Sequence, residues 1–456
     1  MPSIILRIKN TPLTVKLLLV ILAEFTVVSI LIAANLKPGI IPDEKAHFGL
    51  SEAFATTWGI PADSPSTYAY GPISEHPYFY YWINGRVLNL VGRFFSTYGE
   101  LAKLIALRFV NVIYSLLTLI FSYLLAREIL KDRWWSLLVV FMLANTLMFT
   151  FLSSGVSYDN LANLCSIVSI FFLVKVLNHK DFYLNSLLWL IFACLGTLVK
   201  FTTVPLAVLE FGIWVFYILK NHKEVFASLA LTYRHLILLI VLLVFIGFDE
   251  SIYGMNLLMY HTITPQCTQI LTSDQCNLNP VERRNAQIQS PGRVTASDIL
   301  KGSYPDPVEY ALTFWIPTMI SRIHGILGHQ SFIPALVASI YMLFYLALAF
   351  VIAGNFWKTP FEVGSMLVVT IGYISILFVF NYNTELINGF QHVAIQGRYI
   401  FPIIGTGYTL VAFYLSRLRN RIVRNSAFWA TATLFLITGP VLILTNYATV
   451  FTSWFF

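Results

Sequence analysis

The sequence predicts an all-α protein that crosses a membrane about eleven times. Hydrophobic residues occupy 57% of its 456 positions and charged residues only 11%, whereas a soluble domain averages about 45–50% and about 25%. Apolar runs of about 20 residues, the length that spans a bilayer, recur along the chain. Because the basic residues lie mainly between these runs, the net charge of +7 indicates membrane anchoring and not binding to nucleic acid.

The first predicted span begins in the cytoplasm. It follows Arg7, Lys9 and Lys16, and no small-residue cleavage site comes after it, so we expect a retained helix and not a signal peptide. Every loop then predicted on the inner side carries Lys or Arg, which places the C-terminus outside. The predicted spans are residues 15–35, 103–127, 134–153, 160–177, 183–199, 202–219, 234–249, 331–354, 361–381, 398–416 and 427–447.

Two long segments remain between the spans, and both are predicted to lie outside. Residues 36–102 and 250–330 form outer loops with interfacial helices in a single membrane domain. The outer face is oxidising, so we expect a disulfide between Cys267 and Cys276 in the second loop. No N-x-S/T site occurs in these segments, which favours a bacterial source and hence the cytoplasmic membrane.

The strongest functional signal lies directly after the first span, in residues 41–50. Asp43, Glu44, Lys45 and His47 are crowded together in a chain with few charges. On a helix, Asp43, Glu44 and His47 can share one face, and ionisable groups beside a span indicate a functional site. We therefore predict a catalytic role for these three residues. The alternative is a helix start whose acidic residues favour the helix dipole.

An aromatic stretch in the same loop supplies a second candidate region. Residues 75–82 place five aromatic rings beside an acid and an imidazole. Such a stretch is typical of a helix lying in the membrane interface, and aromatic rings also suit stacking against a sugar. Both interpretations are kept, and the predicted substrate-binding residues here are Glu75, His76, Tyr80, Tyr81 and Trp82.

Three more charged residues are predicted at the outer boundary. Asp159 is either a second acid of the site or part of a helix cap. Lys200 either extends to the interface or binds a lipid phosphate. Arg398 lies on the outer side, against the usual charge bias, so its fork-shaped group is expected to bind phosphate; a surface salt bridge is the alternative. With the neighbouring Tyr399, all three are predicted to bind substrate.

The combination of motifs resembles the GT-C superfamily of membrane glycosyltransferases. The matching elements are P-D-E-x-x-H-F at residues 42–48, H-P-x-x-Y-Y-W at 76–82, S-x-D-N at 157–160 and Q-G-R-Y-x-x-P at 396–402. The first loop is similar to those of protein O-mannosyltransferases and lipid A aminoarabinose transferases. The whole set is most similar to a bacterial family of membrane transferases. The resemblance implies a GT-C-like fold.

The resemblance also implies an activity. It predicts an inverting transferase that moves a sugar from a polyprenyl-phosphate donor to a glycan, lipid or protein acceptor on the outer face of the membrane. Asp43 matches the base or acceptor-orienting acid, and Arg398 and Lys200 match phosphate-binding residues. Asp159 matches an acid that holds a divalent cation in some relatives, but Asn160 and Leu161 follow it, so no D-x-D site is supported. The sequence leaves open whether Mg²⁺ or Mn²⁺ takes part.

Other functions are weighed against this one. A polysaccharide polymerase or ligase would share the lipid-phosphate chemistry. A transporter of lipid-linked oligosaccharides would place its ionisable groups near the membrane midplane, often within internal repeats, and neither feature is seen here. A zinc protease would have a histidine in place of Asp43 and a third ligand.

Overall fold

The structure is a computed structural model that describes residues 12–94, 99–227, 232–288, 293–328, 330–393 and 395–456. Within these ranges, nine helices are long and apolar enough to cross a membrane, and two bent helix pairs raise the number of crossings to as many as eleven. The predicted class, an all-α membrane protein with about eleven spans, is confirmed.

The first four helices contain the acidic and aromatic stretches. Helix α1 is followed by a short turn and then by α2, whose start carries the acidic residues. A 3-10 turn at Tyr68–Tyr70 separates α2 from α3, which holds most of the aromatic stretch. The helices are α1 (Leu13–Asn35), α2 (Glu44–Ala55), α3 (Phe79–Phe94) and α4 (Glu100–Leu130).

The next six helices follow α4 in the middle part of the chain. Asp132 accepts hydrogen bonds from the backbone N–H groups of Trp134 and Trp135 at the start of α5, as a helix cap does. Helices α5 and α6 make one of the two bent pairs, at 66°. The six are α5 (Arg133–Ala144), α6 (Leu147–Ser153), α7 (Tyr158–Leu177), α8 (Phe182–Val199), α9 (Val204–Ala227) and α10 (Tyr233–Asp249).

The seventh span is longer than the sequence predicts. Helix α10 continues through a π-helical turn at Glu250–Gly254 into α11 (Met255–Tyr260), so the second long loop begins about ten residues later than predicted. Thr197 donates to Asp249 at 2.8 Å, and the Tyr253 hydroxyl donates to the Thr197 carbonyl at 2.7 Å. These bonds satisfy the polar groups at which the predicted span ended.

The second long loop folds into short helices. The Cys267–Cys276 disulfide, which the sequence led us to expect, joins the first two of them. The helices are α12 (Cys267–Ile270), α13 (Ser273–Cys276), α14 (Pro280–Ile288), α15 (Ala296–Leu300), α16 (Pro307–Tyr310) and α17 (Ile316–His324), followed by a short hairpin of β1 (Ile326–Leu327) and β2 (Gln330–Ser331). We call the end of the bundle that carries both long loops the loop face.

The last part of the chain completes the bundle. A bend of 41° separates α21 from α22, and the final residues return to the end of α1, where Lys37 N–H donates to the Trp454 carbonyl at 2.8 Å. The helices are α18 (Ala335–Asn355), α19 (Phe361–Ile387), α20 (Phe401–Ser416), α21 (Arg421–Ile437), α22 (Pro440–Asn446) and α23 (Ala448–Phe451).

Two helices occupy the centre of the bundle. Of the 18-residue apolar stretch in each span, 83% of the residues are buried in α7 and 78% in the span that includes α20. The corresponding share is 11% in the spans of α10 and α18. The outer helices leave apolar surface open, as lipid-facing helices do, whereas α7 and α20 are surrounded by protein. Asp159 lies in the first turn of α7, and Arg398 lies in the 3-10 turn Gly397–Ile400 that leads into α20. Both residues are therefore placed at the centre of the loop face.

A buried ion pair fixes the segment that leads into the acidic stretch. The Arg108 guanidinium, on α4, donates to both carboxylate oxygens of Glu44 at 2.8 and 2.7 Å. It also donates to the carbonyls of Ala33 and Leu36 at the end of α1, at 2.9 and 2.6 Å. Helix α1, the start of α2 and α4 are therefore joined at one point.

Candidate active site

Four charged residues from distant parts of the chain meet at the loop face. Asp43, Asp159, Lys200 and Arg398 form a chain of ion pairs, in the order Asp43, Arg398, Asp159, Lys200. We call these four residues the charged cluster. Two carboxylates balance two cations, so the charged cluster is neutral when all four groups are ionised. The sequence predicted each of them as a site residue, and the structure brings them together.

Arg398 lies at the centre of the charged cluster. One guanidinium nitrogen donates to Asp43, and the other lies 3.6 Å from an oxygen of Asp159. The side chain is only 4% exposed, whereas its partner Asp43 is 51% exposed, so the ion pair considered from the sequence is present but its guanidinium is buried. The preceding residue must be glycine, because a Cβ at Gly397 would lie 2.7 Å from the Arg322 carbonyl carbon.

Lys200 holds Asp159 from the other side. Its ammonium group donates to the carboxylate of Asp159 and lies 4.7 and 5.0 Å from the ring centres of Tyr158 and Tyr399. The Ser157 hydroxyl caps the start of α7 and donates to Asp159 at 3.2 Å. Ser157 therefore provides the cap, and both oxygens of Asp159 face cations or donors within the site.

Asp43 is the most accessible member of the charged cluster. Its side chain is 51% exposed, whereas those of Arg398 and Asp159 are almost completely buried. Burial favours the neutral carboxyl, but the charge and hydrogen bond of Arg398 outweigh it, and the pKa of Asp43 is lowered. Its backbone is left-handed, with φ of 60°, a conformation that Asp tolerates better than most residues. An ionised carboxylate is thus presented towards solvent.

His47 lies beneath the charged cluster and packs against tyrosines. Its Nδ1 atom is 2.8 Å from the Tyr81 hydroxyl, and its ring centre lies 4.4 Å from that of Tyr158. Burial lowers the pKa of His47 to about 4, although Asp43 and Asp159 act in the opposite direction. The imidazole is therefore neutral at pH 7 and adds no positive charge to the site.

Glu44 has a different place from the one predicted. We expected it to share a helix face with His47 and to have a catalytic role. Instead its carboxylate is 1% exposed and binds Arg108, and it also accepts from the backbone N–H groups of Val156 and Gly39. Glu44 therefore fixes the positions of the segments that carry Asp43 and Asp159.

The aromatic stretch divides into three environments. Tyr81 reaches the site, whereas Tyr80 is fully buried and donates to Asn111 at 3.1 Å. Trp82 packs against Phe79 and donates to the Trp58 carbonyl, as expected of an interfacial helix. A direct substrate contact is thus supported by the position of Tyr81 and not by those of Tyr80 and Trp82.

A cavity of about 590 Å³ opens beside the charged cluster. Its wall includes Tyr81, Tyr158 and Lys200, and also His76, which the sequence singled out. The neighbouring Glu75 accepts from Asn256 through its backbone carbonyl at 2.9 Å, so it ties the first long loop to α11.

The arrangement does not fit a divalent cation at Asp159. In the described part of the chain no group of three or more His, Cys, Asp or Glu residues could hold a metal ion. More directly, the nitrogens of Lys200 and Arg398 lie against the two oxygens of Asp159, where a metal ion would bind.

Two important residues were not singled out from the sequence. Arg108 lies inside a long apolar run, and an arginine in a span is by itself a signal of a specific partner. Tyr158 contacts both His47 and Lys200, and its place directly before Asp159 was the only available sign.

Comparison with known proteins supports the predicted resemblance. A family model described as dolichyl-phosphate-mannose-protein mannosyltransferase matches residues 75–248, less than half of the chain. No curated protein matches the sequence. The matched segment contains Asp159 and Lys200, and ends within α10.

Solved structures resemble the whole chain at low sequence identity. The Archaeoglobus fulgidus oligosaccharyltransferase tethered to an acceptor peptide has a TM-score of 0.51 at 12% identity, and the match covers 93% of this chain and 54% of that one. ArnT from Cupriavidus metallidurans bound to undecaprenyl phosphate has a TM-score of 0.49 at 15% identity, covering 92% and 62%. The chain therefore spans about half to three fifths of these proteins. The likeness to the oligosaccharyltransferase shows a shared fold, as the resemblance predicted.

Proposed function

We propose that this membrane protein transfers a sugar from a polyprenyl-phosphate donor to a hydroxyl group of a glycan, lipid or protein acceptor, with inversion at the sugar. The observation that carries the proposal is the charged cluster, in which an accessible carboxylate lies beside two buried cations at the loop face. The family model, which describes transferases that use a lipid-linked sugar, supports the same class of donor.

In the proposed reaction, the acceptor hydroxyl approaches Asp43. Its oxygen attacks the anomeric carbon of the donor sugar on the face opposite the phosphate, and its proton passes to the Asp43 carboxylate. The bond between the anomeric carbon and the phosphate oxygen breaks, and the electron pair leaves with the polyprenyl phosphate. Because the new bond forms on one face of the anomeric carbon as the old bond breaks on the other, the configuration at that carbon is inverted.

The cations have two tasks in this proposal. Arg398 and Lys200 hold Asp43 and Asp159 ionised, and their unused N–H groups stabilise the charge that develops on the leaving phosphate. Arg398 suits this task because its guanidinium stays protonated and binds oxygens with two prongs. The donor is lipid-linked, so the reaction takes place at the membrane boundary, which we assign to the outer face of the cytoplasmic membrane.

A conservative substitution tests the proposal. Asp43→Asn keeps the size of the side chain and tolerates the left-handed backbone, but it removes the proton acceptor. We expect the transfer rate to fall by about 100- to 10,000-fold, as for loss of a general base. The measurement is transfer from a panel of labelled polyprenyl-phosphate sugars to candidate acceptors, by protein purified in detergent.

The control is Asp63→Asn, in the same long loop. Asp63 accepts a hydrogen bond from the Ile73 N–H at 3.1 Å and lies outside the charged cluster, so this variant is expected to keep its transfer rate. Near-normal transfer by Asp43→Asn would show that Asp43 is not the base. If neither the wild-type protein nor the Asp63→Asn control transfers sugar from any donor in the panel, the proposed function itself is contradicted.

A further inference from the structure

The cavity beside the charged cluster has a lining that is suited to a sugar ring. Its volume is about 590 Å³, and four tyrosine rings border it, from Tyr70, Tyr78, Tyr81 and Tyr158. Aromatic faces offer apolar contact area, and the phenol hydroxyls and nearby amides offer donors and acceptors. A ligand that fits such a lining has both C–H faces and hydroxyl groups, which describes a saccharide.

One face of helix α14 contributes the far wall. Glu282, Asn285 and Ala286 line the cavity, and their spacing of three and four residues places them on one side of the helix. Arg283 and Arg284 are not among the residues that line the cavity. The exposed Arg284 donates to the Oδ1 atom of Asn285 at 3.0 Å. The helix thus contributes an acid and an arginine-bound amide to the wall of the cavity.

The second long loop holds this wall in place. Asn279 begins α14 by accepting hydrogen bonds from the N–H groups of Val281 and Glu282. Its amide nitrogen lies 3.3 Å from the point that a Cβ of Gly71 would occupy, and Gly71 has a φ of 80°. The Cys267–Cys276 disulfide closes the loop segment just before α14. The position of Glu282 is therefore set by contacts between the two long loops.

The lining has a charge preference. Within the described chain, the Lys, Arg, Asp and Glu side chains that border the cavity are Lys200 and Glu282. Lys200 is paired with Asp159, whereas Glu282 has no ion pair among the described residues. A ligand in this cavity therefore meets one carboxylate that has no direct ion-pair partner in the described chain.

We propose, resting on the proposed function, that the cavity binds an uncharged or amino-bearing saccharide ring and excludes a uronic acid, with Glu282 as the selecting residue. Glu282 accepts hydrogen bonds from sugar hydroxyl or ammonium groups, and it repels a sugar carboxylate. The ring belongs either to the polyprenyl-phosphate donor or to a glycan acceptor, since both would present a saccharide ring to Lys200 and Tyr158.

The test measures binding by the full chain in lipid nanodiscs. The probes are undecaprenyl phosphate alone, the same carrier with glucose or with glucuronic acid, and a neutral and a uronic tetrasaccharide. Wild-type protein should bind at least one neutral sugar probe about tenfold more tightly than its uronic counterpart. Glu282→Lys should abolish or reverse this ratio. The matched control is Glu309→Lys, an exposed acid of the same loop, which should leave the ratio unchanged.

The pattern of ratios identifies the source of the sugar. A preference among the carrier-linked probes that Glu282→Lys removes places the donor sugar in the cavity, and a preference among the tetrasaccharides places the acceptor there. Equal binding of neutral and uronic probes by the wild type, or a ratio that Glu282→Lys does not change, overturns the inference. Failure to bind any carrier-linked probe would instead contradict the proposed function, while the tetrasaccharide ratio would still test the cavity.

Discussion

The ion pair between Glu44 and Arg108 separates structural from chemical roles in the acidic stretch. Both side chains are almost fully buried. Each carboxylate oxygen of Glu44 faces two donors: Arg108 Nε and Val156 N–H on one side, and Arg108 Nη2 and Gly39 N–H on the other. In Glu44→Gln, the new NH₂ group must therefore point at donors in either orientation.

The expected cost follows from this geometry. Removing one partner of a buried ion pair leaves an uncompensated charge and costs about 3–5 kcal/mol. That is a large part of the total of about 5–15 kcal/mol that stabilises a typical protein. We expect Glu44→Gln to unfold at a markedly lower temperature than Asp43→Asn, whose site is half exposed. The measurement is thermal unfolding in detergent, combined with the transfer rate per folded molecule.

A double variant supplies the control for this prediction. Glu44→Leu with Arg108→Met removes both charges, so no buried charge is left without a partner, and the double variant should recover part of the stability lost in Glu44→Gln. The transfer rate per folded Glu44→Gln molecule should remain within about tenfold of the wild type. A variant that is as stable as the wild type, yet loses 100-fold or more in rate, would refute the structural role and place Glu44 in the chemistry.

Three further predictions concern pH, the disulfide and metal ions. Because the pKa of His47 falls from 6.5 to about 4 on folding, the folded protein binds fewer protons there, so stability should decrease by about 3 kcal/mol as the pH drops from 6.5 to 4. His47→Asn should flatten this dependence in melting curves, and an unchanged slope would contradict the assignment. Replacing Cys267 and Cys276 by Ser should increase proteolysis of the second long loop without lowering the melting temperature of the bundle; equal proteolysis would show that the disulfide does not hold the loop. Transfer should survive chelation of divalent cations, because Lys200 and Arg398 already neutralise the acids; activity that is lost with chelator and restored by Mg²⁺ or Mn²⁺ would refute this.

The sequence was sufficient for the span pattern because hydropathy alone determines which segments can cross a bilayer. It failed at the end of the seventh span, which was predicted to end at Asp249 although the helix continues to Tyr260. The structure continues the helix there because Thr197, on the neighbouring α8, donates a hydrogen bond to Asp249 and accepts one from the Tyr253 hydroxyl. Such partners lie about 50 residues away in the chain, beyond what a local pattern can indicate.

The candidate site was predictable where a residue conflicted with its surroundings. Arg398, Asp159 and Lys200 each stood out as a charge at the edge of an apolar run, and all three converge. Glu44 was misplaced because helical spacing suggested His47 as its neighbour, whereas its partner Arg108 comes from α4, 64 positions later. Spacing within one helix cannot reveal a contact between two helices.

The charged cluster also has a consequence for biosynthesis. Asp159 and Lys200 form an ion pair between consecutive helices, so the ribosome delivers both partners within one helical hairpin. Arg398 is made about 200 residues after Lys200, roughly 10–40 s later at the usual speed of translation. Until then, Asp43 has no arginine beside it, and a nascent chain held before Arg398 has a buried hairpin but an unfinished site. Full assembly therefore waits for one of the last spans to be inserted, and a ribosome-stalled intermediate should show the Asp159–Lys200 contact before any contact to Asp43.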